Sequence, residues 1–397
     1  MALSKTTLAQ RPGPSPRVPG PAAQRAEQQI RHHLARVEQF IHQQRPEKAL
    51  ALLQAPGTPP SSWPLLWHPG WYLFAGWAML QQNQPKSARA AFTQGLKALQ
   101  RLMRRPSAAR RPFLGEWREW LHHFLGMSFC LDEQPIQALF YYRRGLRAIG
   151  DGVVRDPKLM MLIHKGMGEA YLTLGLYAEA IAFFTQAKHD GQDVCTPHDQ
   201  GLIEWGLGRA YKFQGNLTQA SSAFSQALHI FERLDAKPLV AQLQSLLGLM
   251  QIWSHHQDEA EVLLRQALGT ARRTGDLFAH AIASGNVAAL YLAQGKVERA
   301  LHTAQETLAL LQETHNQDIM GYLYLTLARI FESQSNLAAT EEALTSAIMA
   351  FQQTQHYGLL VRARERYSTF LAKQGRFQEA YEQLLMAPYK TAASLSA

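Results

Sequence analysis

The side chains best suited to chemistry in this 397-residue chain are three adjacent histidine pairs and two cysteines. The pairs are His32–His33, His122–His123 and His255–His256. Successive residues on a helix point about 100° apart, so such pairs make poor chelates. Cys130 and Cys195 lie far apart, and neither has an identifiable base beside it to make it a nucleophile. The phosphate-cradling loop with its terminal lysine, the GxSxG nucleophile elbow and the HExxH zinc helix do not occur. The expectation is therefore no catalytic set, no metal and no cofactor.

What remains is chemistry of recognition. The net charge of +9 is spread unevenly. Residues 1–160 hold 22 Lys+Arg against 9 Asp+Glu, and residues 161–397 hold 18 against 22. Six of the eight tryptophans fall in the basic part: Trp63, Trp67, Trp71, Trp77, Trp117 and Trp120. Arg104, Arg105, Arg110, Arg111, Trp117, Trp120, Arg143 and Arg144 form a candidate basic, aromatic docking region for an acidic partner or an anionic membrane surface. No nucleic-acid-binding module is recognisable, so nucleic acid is ranked below both. The alternative reading is a solvated basic loop over a Trp-rich end cap.

Two cysteines cannot build a disulfide framework, which leaves a reduced, cytoplasmic setting as the default, with a place peripheral to a membrane the other reading. No apolar run approaches the ~20 residues of a membrane span. Residues 1–24 read as a disordered, proline-rich tail; the stretch is acid-free and carries Lys5, Arg11 and Arg17, so a transit peptide is the competing reading.

The elements that must position these groups come from a repeat. At a step of 40 residues, one column reads Gly168, Gly208, Gly248, Ala288, Ala328, Ser368. A second reads Ala180, Ala220, Ala260, Ala300, Thr340, Ala380, and a third Ala187, Ala227, Ala267, Thr307, Ala347, Ala387. A bulky column runs Phe184, Phe224, Leu264, Ala304, Leu344, Leu384, and a turn column Gly175, Gly215, His255, Gly295, Ser335, Gly375. Small residues let two antiparallel helices approach, with the glycine column of the first helix expected to meet the alanine columns of the second. The turn glycine ends the first helix with positive φ. Each unit is a helix hairpin that cannot bury its apolar faces alone.

The stretches at 166–187, 206–227 and 286–307 resemble tetratricopeptide repeats. The signature is matched at Leu207, Gly208, Tyr211, Gly215, Ala220, Phe224 and Ala227. The usual unit has about 34 residues; the longer one here resembles repeats of bacterial signalling regulators and kinesin-light-chain-like adaptors. The resemblance implies an all-α, right-handed superhelical solenoid. Upstream, Leu125, Gly126, Phe129, Ala138 and Tyr142 fit one looser unit, Ala75, Gly76, Met79, Ala88 and Phe92 another, and a degenerate hairpin spans Gln28 to Gln54. The reading is some eight or nine hairpins: a tail at 1–24, irregular basic hairpins at 25–160, six regular units at 161–387, and a short tail at 388–397.

In such a family the first helices line the concave face, and peptide contacts fall on the second, fifth, ninth, twelfth and thirteenth positions of each unit. Carried over, these give Lys165, Glu169 and Thr173; Trp205, Arg209, Lys212 and Phe213; Ser245 and Trp253; Gly285 beside Asn286; and Tyr322, Arg329 and Glu332. The candidate peptide groove is Lys165, Glu169, Trp205, Arg209, Lys212, Phe213, Trp253, Asn286, Arg329 and Glu332, suited to a peptide with apolar and acidic side chains. The competing reading packs Trp205 and Trp253 between successive first helices. The function expected is that of a non-enzymatic scaffold or adaptor. The alternatives are a peptide-sensing regulator without its own DNA-binding domain and an assembly factor at a membrane surface. The last hairpin, with Phe377, Tyr381 and Leu384, lacks a polar capping helix and is expected to mediate self-association or partner docking.

Overall fold

The computed structural model describes residues 21–55, 63–104, 112–132, 134–150, 156–312, 316–354 and 357–386. Eighteen α-helices pair into nine hairpins among these residues, and no strand occurs among them. The chain forms two compact units, Met1–Gly166 and Met167–Ala397.

The first unit holds α1 (Pro21–His42), α2 (Pro46–Gln54), α3 (His68–Gln81), α4 (Pro85–Met103), α5 (Pro112–Leu131) and α6 (Pro135–Gly150). It also holds the start of α7 (Pro157–Thr173), which runs across the boundary. Proline stands at the first position of many of these helices, where its fixed φ suits the helix and its missing N–H costs nothing. The hairpin α1/α2 is the degenerate one of the sequence, and its Ala49 and Leu53 are fully buried.

The second unit continues with α8 (Tyr177–Asp190), α9 (Pro197–Gln214), α10 (Leu217–Arg233), α11 (Lys237–Trp253), α12 (Gln257–Thr274) and α13 (Leu277–Ala293). It ends with α14 (Val297–Gln312), α15 (Gln317–Ser333), α16 (Leu337–Gln353), α17 (Tyr357–Lys373) and α18 (Phe377–Leu385). Short polar side chains start several of them. Thr196, Asn216, Asp276, Asn316 and Asn336 each accept a hydrogen bond from the backbone N–H three residues on.

All six residues of the turn column have positive φ, from 58° at Ser335 to 91° at Gly215, and His255 adopts 63° without being glycine. The packing of the small column differs from expectation. A Cβ on Gly168, Gly208 or Gly248 would lie 2.9, 2.5 or 2.8 Å from Phe184, Phe224 or Leu264. The glycine of the first helix thus backs onto the bulky column of the second, because a flat ring needs the whole of the missing side chain's space. The same offset of sixteen residues recurs in the first unit, where Gly76 meets Phe92 and Gly126 meets Tyr142. The hairpins α3/α4 and α5/α6 thus share this contact with the regular ones.

No helix among the described residues is long and apolar enough to cross a membrane. On α18, Phe377 is 71% exposed and Tyr381 58%.

Candidate ligand-binding site

The first helices of the second unit meet one another across hairpins. The Lys212 ammonium on α9 lies 4.3 Å from the centre of the Phe213 ring and 5.7 Å from that of Tyr322 on α15. The Arg362 guanidinium on α17 sits 5.0 Å from the same Phe213 ring. Tyr177, at the start of α8, stacks on Phe213 with ring centres 5.5 Å apart. Its hydroxyl donates to the Gly358 carbonyl at 3.5 Å. Backbone approaches backbone there: a Cβ on Gly175 would lie 2.9 Å from the Gly358 Cα. The hairpin α7/α8 and the N-terminus of α17 thus close upon a shared interior.

Lys212 is only 8% exposed, and it makes no ion pair among the described residues. Burial pushes its ammonium down to about 7, and the positive charges of Arg362 and Arg209 act in the same direction. Arg209 is paired with Glu169 of α7 at 3.0 Å. Burial also raises the Tyr322 phenol far above its ordinary value, although 39% of the residue is exposed. The Tyr322 ring also meets Phe351 edge-on, with ring centres 5.8 Å apart. Asp318, on the turn before Tyr322, accepts from the Thr354 hydroxyl at 2.5 Å, and burial raises its carboxyl.

The other expected groove residues are placed as follows. Trp205 is half-buried, edge-on to Phe231 with ring centres 6.5 Å apart, and its indole N–H has no hydrogen-bond partner among the described residues. Trp253 is half-buried and packs against the apolar clusters on either side of it. Asn286 donates its amide to the Ser245 carbonyl at 3.1 Å and hydroxyl at 2.9 Å, which joins α13 to α11. Glu332 is committed to Arg366 and to Lys373, the latter at 2.9 Å, and the Lys373 hydrogen bond draws its carboxyl down. Arg329 stands beside Arg366 and Glu332, its guanidinium held below its ordinary range by burial first and by the charge of Arg366 second. Lys165 is half-buried on the part of α7 that belongs to the first unit.

Three residues of the recess were not among those carried over. Arg362 is the second position of the last unit, the position that gives Tyr322 one unit earlier, so the same rule extended by one repeat finds it. Tyr177 stands on a second helix and Asp318 precedes its unit's first position, and neither has a signal in the repeat columns.

In the basic, aromatic region of the first unit the two tryptophans belong to the core rather than to a surface. Trp117 and Trp120 are 1% and 3% exposed. Trp117 contacts Trp67 with ring centres 5.7 Å apart, and Trp120 contacts Phe124 at the same separation. Their rings form the core of α3/α4 and α5/α6 and are closed to a docking partner. Arg104 is exposed at the end of α4, Arg144 is exposed over the Phe140 ring at 4.5 Å, and Arg143 is half-buried. Arg105, Arg110 and Arg111 lie outside the described residues. No group of three or more His, Cys, Asp and Glu that could hold a metal occurs among the described residues.

Residues 166–188 match the family model described as tetratricopeptide repeat. The chain carries a tetratricopeptide repeat, and its fold is a tetratricopeptide-like solenoid. No curated protein matches the sequence. Among solved structures it is similar to the apo form of the quorum sensor NprR from B. thuringiensis, at 14% identity over 94% of this chain and 99% of that one, with a TM-score of 0.64. It is also similar to aspartyl phosphate phosphatase F from Bacillus subtilis, at 12% identity over 94% and 95%, with a TM-score of 0.56. A third is the Rap conjugation gene regulator of the plasmid pLS20 in complex with the Phr* peptide, at 12% over 93% and 96%, with a TM-score of 0.54. Identities this low establish the tetratricopeptide-like fold and nothing finer.

Proposed function

We propose that the second unit is a non-enzymatic binding module that holds a peptide, or an extended segment of a partner protein, in the recess between its first helices. The observation that carries this is Lys212: a buried ammonium with no carboxylate partner among the described residues, gathered with Phe213, Tyr322, Arg362 and Tyr177 from hairpins far apart in sequence. A cation so placed costs several kcal/mol unless it is paired, a cost a fold keeps where the group has a task. Rings and guanidinium groups are the side chains that dominate protein recognition. One of the similar structures is a complex with a peptide, and it supports the peptide reading over a folded-domain partner. The phosphatase among the similar structures shares the fold, and a fold does not carry an activity.

The test is selection of a phage-displayed random linear peptide library on the immobilised full-length chain. The expected result is a family of enriched peptides that compete with one another, raise the melting temperature and lose binding in Arg209→Glu. Enrichment no greater than on an unrelated helical-repeat protein would sink the reading.

A further inference from the structure

We propose that α4 and α6 of the first unit together form a docking face for an anionic phospholipid surface, with their cations taking the headgroup phosphates and Phe140 entering the layer between them. The proposal goes beyond the peptide reading and stands without it. Neither helix contains an Asp or a Glu, whereas every second helix of the second unit carries at least one. Lys86, Lys97 and Arg101 of α4 and Arg104 at its end are exposed. Their spacing of eleven, four and three residues keeps them on one face over about 27 Å of helix. On α6, Arg143, Arg144 and Arg147 surround Phe140 in the same way, and Phe140 is 49% exposed. The two stripes share a side of the unit. Phe92 and Tyr142 fill the space left by Gly76 and Gly126, so they hold the same place in successive hairpins. Lys97 and Arg147 stand five residues beyond them and leave the helices in the same direction. At one end the helices are tied together. The Arg89 guanidinium of α4 lies 4.5 Å from the centre of the Phe129 ring of α5, which stacks on Tyr141 of α6 with ring centres 5.3 Å apart.

Pairing within the protein does not account for these cations. Among the described residues Lys86, Lys97, Arg101, Arg104 and Arg147 make no ion pair, and Arg144 lies over the Phe140 ring at 4.5 Å. Lys97 and Arg101 stand four residues apart, as do Arg143 and Arg147, and like charges at that spacing weaken a helix. The acids nearest in sequence are engaged, withdrawn or outside the described residues. On α5, Glu119 is buried and Glu116 half-buried. Asp132 is taken by Arg89, and Asp156 accepts from the backbone at the start of α7. Glu133 and Asp151 lie outside the described residues. The partner such a face fits is a polyanion. Five of the seven cations are arginines, whose planar guanidinium matches phosphate oxygens in pairs. Phe140 favours a lipid surface among the sources of phosphate. An exposed ring set among cations is what a helix lying in the headgroup layer presents. A nucleic-acid duplex carries phosphates on its outside and no apolar layer behind them for that ring. Clusters of about four to eight cations beside or on a helix are of the size that holds a protein to a phosphatidylserine surface.

The test is flotation of the full-length chain with vesicles of phosphatidylcholine alone and of phosphatidylcholine with about 30% phosphatidylserine, at low and at high salt. The chain is expected to float with the anionic vesicles at low salt, to stay behind with the neutral ones, and to be released as salt screens the charges. Lys97→Glu/Arg147→Glu should weaken partitioning by about tenfold or more. Lys296→Glu/Arg299→Glu makes the same change of net charge on exposed side chains of the second unit and should leave partitioning unchanged. Phe140→Ala should weaken it without altering its slope with salt. Every substituted side chain is exposed, and thermal melts of the variants check that each one folds. No flotation with anionic vesicles at low salt, equal flotation with both compositions, equal loss in the two double variants, or flotation of Phe140→Ala equal to the parent's overturns the proposal. So does loss of flotation when a random-sequence DNA duplex is added at equal phosphate, which would assign the face to nucleic acid.

Discussion

The Tyr177 hydroxyl donates to the Gly358 carbonyl across 181 residues of chain. The contact joins the first complete hairpin turn of the second unit to the start of its last hairpin, beside the place where Tyr177 stacks on Phe213. The contact is possible because two glycines meet. A Cβ on Gly358 would stand 2.9 Å from the Gly175 Cα and 3.0 Å from its nitrogen, and backbone cannot swing aside as a side-chain tip can. Gly358→Ala is therefore expected to open the contact although alanine favours helix by about 1 kcal/mol over glycine. Hydrogen exchange should quicken at the start of α17 and at Tyr177 while α10 to α13 keep their protection. Unchanged exchange at both places would show that the contact bears no load.

Lys212 gives the second unit a pH dependence with a definite sign. The folded protein holds this ammonium near 7, and the unfolded chain returns it to its ordinary value near 10.5. Between those values the unfolded state binds the extra proton, so this group makes stability rise with pH across that window. The charges acting on it are Arg362 on α17 and Arg209 on its own helix, and the rings facing it are Phe213 and Tyr322, the latter beside Tyr177. Both phenols are raised, so near pH 10 they ionise in the unfolded chain first and work the opposite way. Urea unfolding at pH 7 and pH 9 should show a gain of order 1–2 kcal/mol at the higher pH. Lys212→Met should be more stable than the parent at pH 7 and should flatten this slope. A variant with the parent's slope would remove Lys212 as its source.

Phe224 fills the space that Gly208 leaves, and it is completely buried. Phe224→Ala removes a ring from a site lined by α9 and α10 and is expected to cost about 3–5 kcal/mol. Gly208→Ala crowds the same ring, with a Cβ placed 2.5 Å from it, and is expected to cost about 1–3 kcal/mol in spite of alanine's helix preference. The two together should be less harmful than their sum, since the added methyl occupies part of the cavity. Additive losses in thermal melts would show that the pair is not in contact.

The hairpins could be read from the sequence because their cause is local. A glycine and a ring sixteen residues apart must meet if the chain folds back, and the column repeats that condition in every unit. The buried Trp117, Trp120, Leu121 and Phe124 also follow a helical stripe, and their spacing marks them as core more strongly than their neighbourhood of arginines marks them as surface. The recess was legible only in part. Arg209, Lys212, Phe213 and Tyr322 occupy family contact positions, but which hairpins face one another depends on a small twist summed over several units. No single column records that sum, and Tyr177 and Gly358 come together through it. Asn286 shows the converse: the contact position was read, but its amide is taken by Ser245 one repeat earlier.

The turn column offers a prediction of gained stability. Four of its six residues are glycine, but His255 and Ser335 hold φ at 63° and 58° with a Cβ in place. That conformation costs a non-glycine residue roughly 1–2 kcal/mol. Both side chains are exposed, and among the described residues neither makes a hydrogen bond there that would compensate. Glycine removes the strain and returns about 0.5–1 kcal/mol of that gain through the freedom of the unfolded chain. His255→Gly and Ser335→Gly should each stabilise the second unit by about 0.5–1 kcal/mol, and Gly295→Ala, at φ of 73°, should destabilise it by a similar amount. Urea midpoints of the three variants check this. A loss of stability in both glycine variants would mean that the turn is held by its side chains rather than strained by them.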